Sequence, residues 1–235
     1  MTPTLKIDDD DACEVVWALE RSFEIGISEA EAAVLFTLGD VFNFLKERFA
    51  EKGQDGTNCG TAMAFYRLRR ALAAMAPDAV LRPSIRLPGI TSLSARRLFR
   101  AIEKQSGLRL PPPDKSWIGV LGAATLLGIP CCIPIGLACG YWAGIGTLAL
   151  VFFGGLLQHL DPGRIPGNCQ TLGDLSERVS ALNFGRLVNL GARAREPALW
   201  SALTEIVAPY TAVSSAEMRP EAFMLRPPRA VPDRG

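Results

Sequence analysis

Few side chains in this chain of 235 residues are equipped for covalent or acid–base chemistry, and those few are widely spaced. The single histidine, His159, has only Asp161 as a nearby carboxylate and stands at the end of a long apolar run. It reads as structural rather than as a general base. The six cysteines, Cys13, Cys59, Cys131, Cys132, Cys139 and Cys169, form no Cys-x-x-Cys pair. With one histidine to join them they offer no zinc-ligand spacing, and no metal is expected. Reduced, mostly buried thiols are the expectation. No Ser/His/Asp set, glycine-rich phosphate loop or carboxylate pair is spaced for catalysis, so the chain reads as non-enzymatic. The side chains with a definite surface chemistry are cationic: Arg67, Arg69, Arg70, Arg82, Arg86, Arg96, Arg97, Arg100 and Lys104 all precede the apolar run. Of these, Arg96, Arg97, Arg100 and Lys104 are the candidates for contact with lipid headgroups, each contributing about 1 kcal/mol near an anionic surface.

The element that must position them is Trp117–Leu160, 44 residues without Asp, Glu, Lys or Arg. Crossing a bilayer core takes roughly 20 apolar residues of α-helix. The run therefore has the length for a hairpin of two crossings, Trp117–Leu137 and Tyr141–Leu160, joined by a glycine turn at Gly136–Gly140. Pro130 and Pro134 should kink the first crossing. Apolarity on all faces separates such helices from a half-buried soluble pair. The arginines before the run, with nothing comparable in its turn, place both ends of the hairpin in the cytoplasm. The expected location is thus the inner (cytoplasmic) membrane, with the bilayer as a partner and both termini in the cytoplasm. Gly119, Gly122, Gly128, Gly144, Gly146, Gly154 and Gly155 would allow close helix packing, including between copies. Met1–Asp11 carries an acidic run where a cleavable signal needs a basic and then an apolar segment. Near-balanced charge, 25 cations against 24 carboxylates, argues against nucleic acid as a partner.

The remaining segments read as helices, and the fold class as all-α. Spacing predicts helices over Ala12–Phe23, Glu29–Ala33, Leu38–Glu51, Gly60–Met75, Ser92–Ser106, Thr171–Leu190 and Glu196–Ala208. Ser28 with Glu31, Thr37 with Asp40 and Thr171 with Asp174 have capping-box spacing. Lys52–Gly56 is a linker, Gly107 a helix stop, and Pro111–Pro113 a stiff connector. Residues 226–235, with three prolines and three arginines, read as a disordered tail.

Thr37-Leu38-Gly39-Asp40 recurs as Thr171-Leu172-Gly173-Asp174, which points to an internal repeat. The segment Glu14-Val15-Val16-Trp17-Ala18-Leu19-Glu20-Arg21-Ser22-Phe23, followed by Ile27 and Thr37–Asp40, resembles helices II to IV of the acyl carrier proteins. Leu199–Tyr210 with Ser214–Phe223 resembles the first helix and following loop of that family, here at the far end of the chain. A second copy would take Phe65–Met75 as its first helix and Leu81–Leu87 as its loop. Leu93–Pro111 would be its second helix and Thr171–Leu182 its fourth, with the hairpin where the third belongs.

The resemblance implies two carrier-like helical bundles. One is permuted, from residues 1–52 with 196–225; the other comprises 58–113 with 168–190, and the hairpin at 117–160 interrupts it. In the family a serine in Asp-Ser-Leu bears a phosphopantetheine arm. Aspartate, at Asp9, occupies that position in the first copy and cannot take the arm. Thr91-Ser92-Leu93 occupies it in the second, so Ser92 is the candidate cofactor-bearing residue. Against modification stand Thr91 in place of the family's acid and a basic rather than acidic helix. The expectation is a membrane-anchored, non-catalytic interaction module without cofactor, with an unidentified protein partner. The alternative is a working carrier with phosphopantetheine on Ser92, serving membrane-associated lipid or acyl-transfer enzymes.

Overall fold

The computed structural model describes residues 5, 7, 9–50, 56–127 and 141–224, with backbone alone at 9, 10, 127 and 141–148. The expectations for the linker at 52–55, the hairpin turn and the 226–235 tail lie outside these residues. Among the described residues there are ten α-helices and no strand beyond isolated bridges, so the chain is all-α.

Helix α1 runs Asp9–Phe23, three residues longer at its start than spacing suggested. Asp9, Asp10 and Asp11 thus form its first turn, where carboxylates meet the positive end of the helix dipole. Helix α2, Glu29–Ala32, is held by a full capping box between Ser28 and Glu31. Helices α3 (Leu38–Ala50), α4 (Gly60–Ala73) and α5 (Ala95–Ser106) follow. Gly107, at φ 67°, ends α5 in the left-handed conformation that glycine adopts without strain. The hairpin arms are α6 (Trp117–Leu127) and α7 (Tyr141–Leu160). Beyond them the helix expected to reach Leu190 is two helices, α8 (Leu172–Leu182) and α9 (Phe184–Asn189), and α10 is Glu196–Val207. The break falls at buried Asn183. Its Nδ2 donates to the carbonyls of Arg109 and Val179 at 2.8 and 2.7 Å, and its Oδ1 accepts from Arg109 N–H at 2.8 Å. That amide supplies partners for an extended segment, Leu108–Leu110, which no helix could satisfy.

The repeated tetrapeptide makes the same bonds twice. Thr37 and Thr171 each accept from the N–H of the aspartate three residues on, at 3.1 Å in both, and each aspartate accepts back. Leu38 N–H donates to Ala222 O as Leu172 N–H does to Ile85 O, at 3.1 and 3.0 Å. Gly39 N–H reaches Pro220 O, and Gly173 N–H reaches Pro83 O, both at 2.8 Å. A Cβ at either glycine would lie 3.0 or 3.1 Å from that proline oxygen, so the helix start needs glycine to sit this close. The segments 220–224 and 83–87 are therefore structural equivalents, one near the chain end and one before α5.

Two cores follow from this doubling. In the first, Val15, Leu19 and Phe23 of α1 and Leu38, Val41 and Leu45 of α3 join Leu199, Leu203 and Val207 of α10, with Met218, Ala222 and Met224. In the second, Leu68 and Leu72 of α4, Leu98 and Ile102 of α5, Leu108, and Leu172, Leu175 and Val179 of α8 pack together. The α8–α9 junction serves both. Phe184 packs edge-on against Phe23 and Phe49 in the first core, while Leu187 lies in the second. Gly185 lies so close to the Phe23 carbonyl that no side chain fits. Arg178 pairs with Glu205, and Arg109 Nη1 donates to Arg21 O at 2.6 Å.

The hairpin arms pack antiparallel. A Cβ on Gly122 would meet Gly154 O at 2.9 Å, and one on Gly154 would meet Leu126 at 3.1 Å. Gly122 and Gly154 thus bring the two arms of the hairpin together, while Gly119 meets Asp161 and Gly155 faces open space. Among the described residues no helix is long and apolar enough to cross a membrane. The first arm is described over 11 residues, and the second arm's side chains only from Ala149 onward.

Candidate functional site

The hairpin leaves the second bundle through a neck assembled from residues far apart in sequence. Asp114 and Arg164 form an antiparallel bridge, with N–H to O distances of 3.0 and 2.8 Å. Just above it Asp161, 3% exposed, closes the base of the two arms. Its Oδ1 accepts from the N–H groups of Ser116 at 3.2 Å and Gly163 at 3.0 Å. Its Oδ2 faces the Arg96 guanidinium at 3.5 Å and crowds Gly119, where any Cβ would clash with it. Burial alone would push this carboxyl up. The hydrogen bonds from Ser116 and Gly163, with the Arg96 charge behind them, outweigh burial and hold it below its ordinary value.

Arg96 does three things at this neck. Its backbone N–H donates to Pro162 O at 3.1 Å, its Nη1 to Gln158 O at 3.3 Å, and its Nη2 faces Asp161. Gln158 is in the last turn of α7, so the cation sits at the negative end of that helix dipole. Arg96 is a clamp between α5 and the hairpin. Arg97, Arg100 and Lys104 are exposed. They lie on successive turns of α5, Lys104 about 12 Å along the axis from Arg96 at 1.5 Å per residue.

Ser92 is exposed but does not start the helix. Ser94 is the N-cap of α5, with extended backbone and no side-chain cap bond, and the helix begins at Ala95. The reason is tertiary: Pro162 O takes the Arg96 N–H, so the first turn draws its acceptor from the hairpin exit and not from a serine. Thr91 Oγ1 instead accepts from Leu93 N–H at 3.4 Å, turning the loop ahead of the helix. Asp9, the matching position of the first copy, is the first residue of α1.

Spacing found neither the Asp161–Ser116 network nor the role of Asn183, because the partners are 45 and 74 residues apart. Of the cysteines among the described residues Cys169 is buried, whereas Cys13 and Cys59 are exposed; Cys131, Cys132 and Cys139 lie outside these residues. Burial pushes the Cys169 thiol up to about 11. His159 is exposed at the end of α7. Among the described residues no group of His, Cys, Asp or Glu could hold a metal ion.

A second feature lies on the first bundle, away from the neck. A groove of about 690 Å³ between α1 and α2 has Val16, Trp17, Ile27 and Ala32 in its lining, with Glu14 and Glu29 beside them. Trp17 is 65% exposed. Glu20 Oε1 accepts from Ile27 N–H at 2.7 Å, which holds the connecting loop against α1. No family model matches this chain, and no solved structure matches it.

Proposed function

We propose that this chain is a membrane-anchored, non-catalytic interaction module. The hairpin inserts into a bilayer, and the two bundles are a duplicated, permuted relative of the acyl carrier proteins. The observation that carries the reading is the outward face of the hairpin. Val120, Leu121, Phe152, Phe153 and Leu156 are all exposed to between 41% and 75%, and nothing charged lies between Lys115 and Asp161. An exposed apolar surface of this extent is costly in water and favourable in lipid. The charged and polar neck begins where the apolar surface stops, and Trp117 stands there 66% exposed, as aromatic residues do at a membrane–water boundary. The doubled Thr-Leu-Gly-Asp bonds support the repeat, and the groove at Trp17 supplies a surface for a protein partner.

Insertion is tested on the full chain expressed in cells. Alkaline carbonate should leave the wild type in the membrane fraction. Phe152→Asp, near the middle of the second arm, combined with Leu121→Asp should shift it to the supernatant, since an ionised side chain at a helix centre costs about 2.5–3.5 kcal/mol to insert. Extraction of the wild type would overturn the reading.

The second reading, a working carrier, draws on the exposure of Ser92. Intact mass of the same preparation, after co-expression with a broad-range phosphopantetheinyl transferase, separates the two. The module should show no phosphopantetheine adduct; an adduct absent from Ser92→Ala would establish the carrier.

A further inference from the structure

The near-neutral total conceals a strong separation of charge. The first bundle, residues 1–52 and 196–225, carries 16 carboxylates and 6 cations; the second, 58–113 and 168–190, carries 12 cations and 4 carboxylates. The hairpin is rooted in the second of these bodies, and the first packs against the second along α8 and at its far end. The N-terminal ends of α5 and α8 and the loop at 83–87 adjoin the neck, through Arg96 N–H to Pro162 O and Leu87 N–H to Gln170 O. The opposite ends of the second bundle, at Arg109 and Asn183–Phe184, meet the first bundle through Arg21 and Phe23. The basic bundle therefore holds the base of the hairpin, and the acidic bundle holds none of it.

We infer that the second bundle is seated on an anionic phospholipid leaflet, and that the acidic first bundle is held away from it. This rests on the hairpin being inserted in a bilayer. Arg82, Arg86, Arg97 and Arg100 are exposed on the loop and helix that adjoin the neck, and Lys115 and Arg164 flank the neck itself. Among the described residues none of these six pairs with a carboxylate, whereas Arg96, Arg178, Lys46 and Arg48 all do. The carboxylates at the same end are Asp78, Asp114, Asp161 and Asp174. Asp161 is buried and already compensated, and Asp174 is engaged by Thr171. Cations this close to the headgroups lie within a Debye length of the surface, roughly 8–10 Å at physiological salt, so their attraction is not screened out. The acidic bundle, with 16 carboxylates against 6 cations, is repelled by the same surface. The two effects set one orientation of the molecule on its anchor.

The experiment uses the full chain reconstituted in two sets of vesicles: phosphatidylcholine alone, and equal parts of phosphatidylcholine and phosphatidylglycerol. Backbone hydrogen exchange is the readout. With phosphatidylglycerol, exchange over the loop at 89–94 and the first turn of α5 should slow several-fold, and high salt should abolish the difference. Exchange in α1 and α3 should match between the two sets. Charge removal in Arg82→Gln/Arg86→Gln/Arg97→Gln/Arg100→Gln should erase the lipid dependence while the protein stays carbonate-resistant. Equal exchange at 89–100 in both vesicles, with the protein still carbonate-resistant, overturns this inference and leaves the anchor standing. Slowing in α1 instead overturns the orientation. Carbonate release from both vesicle types overturns the anchor and this inference together.

Discussion

At the scale of the residue, Asp161 concentrates the most structure in one side chain. It accepts from the N–H groups of two segments that flank the hairpin and faces a guanidinium from a third. Asp161→Ala would leave the buried Ser116 N–H without its acceptor, a loss of about 1–3 kcal/mol. Exchange at Ser116 and Gly163 should speed accordingly, read by mass spectrometry on the reconstituted protein. The carboxyl is held below its ordinary value, so its contribution is fully present above the unfolded-state pKa of about 3.9 and is lost as pH falls through the lower folded value. Neck protection should accordingly be level from neutral to mildly acid pH and collapse only in stronger acid. A collapse centred near pH 6 would point to a different group.

At the scale of the element, the two Thr-Leu-Gly-Asp helix starts form a natural comparison. Each places a glycine against a proline carbonyl of a segment remote in sequence, with 0.1 Å between the two fits. Alanine would add about 1 kcal/mol of helix propensity at either site, but its Cβ would press on backbone that is itself hydrogen-bonded. Overpacking of this kind costs about 1–3 kcal/mol. Gly39→Ala and Gly173→Ala should both lower the melting temperature in detergent, and by similar amounts. Gly26→Ala, which faces open space, should change it little. A stabilised Gly173→Ala would mean that Pro83 gives way freely and that the two starts are not mechanical equivalents. The helix boundaries themselves were legible because their determinants are local: Ser28 with Glu31 and Thr37 with Asp40 each span three residues. The start of α5 falls three residues beyond the position that spacing predicts because its first-turn partner is Pro162.

At the scale of the molecule, the chain ends meet in one core. Leu199, Leu203, Ile206 and Val207 of α10 are almost fully buried with residues of α1 and α3. Each such side chain contributes about 1.5–3 kcal/mol by burial, a large fraction of a small bundle's net stability. A chain cut after Arg195 should show faster hydrogen exchange throughout α1 and α3. Unchanged exchange there would mean that the ends touch without stabilising one another. The hairpin packs chiefly on itself, so membrane retention of the truncated chain should equal that of the full chain.

The all-α class, the uncharged 44-residue run and the doubled capping signature are legible in the order of residues, because each depends on positions a few apart or on composition alone. Tertiary structure decided the rest. Arg96, read from sequence as one more surface cation, is a clamp because the hairpin returns Asp161 to it across 65 positions. Asn183 splits a helix that periodicity would continue, because Arg109 needs both faces of its amide. Gly122 and Gly154 bring the two arms together because the antiparallel return puts one over the other. Polar contacts of that reach have no period in the chain. They exist only when folding brings a buried donor to the one acceptor that can satisfy it.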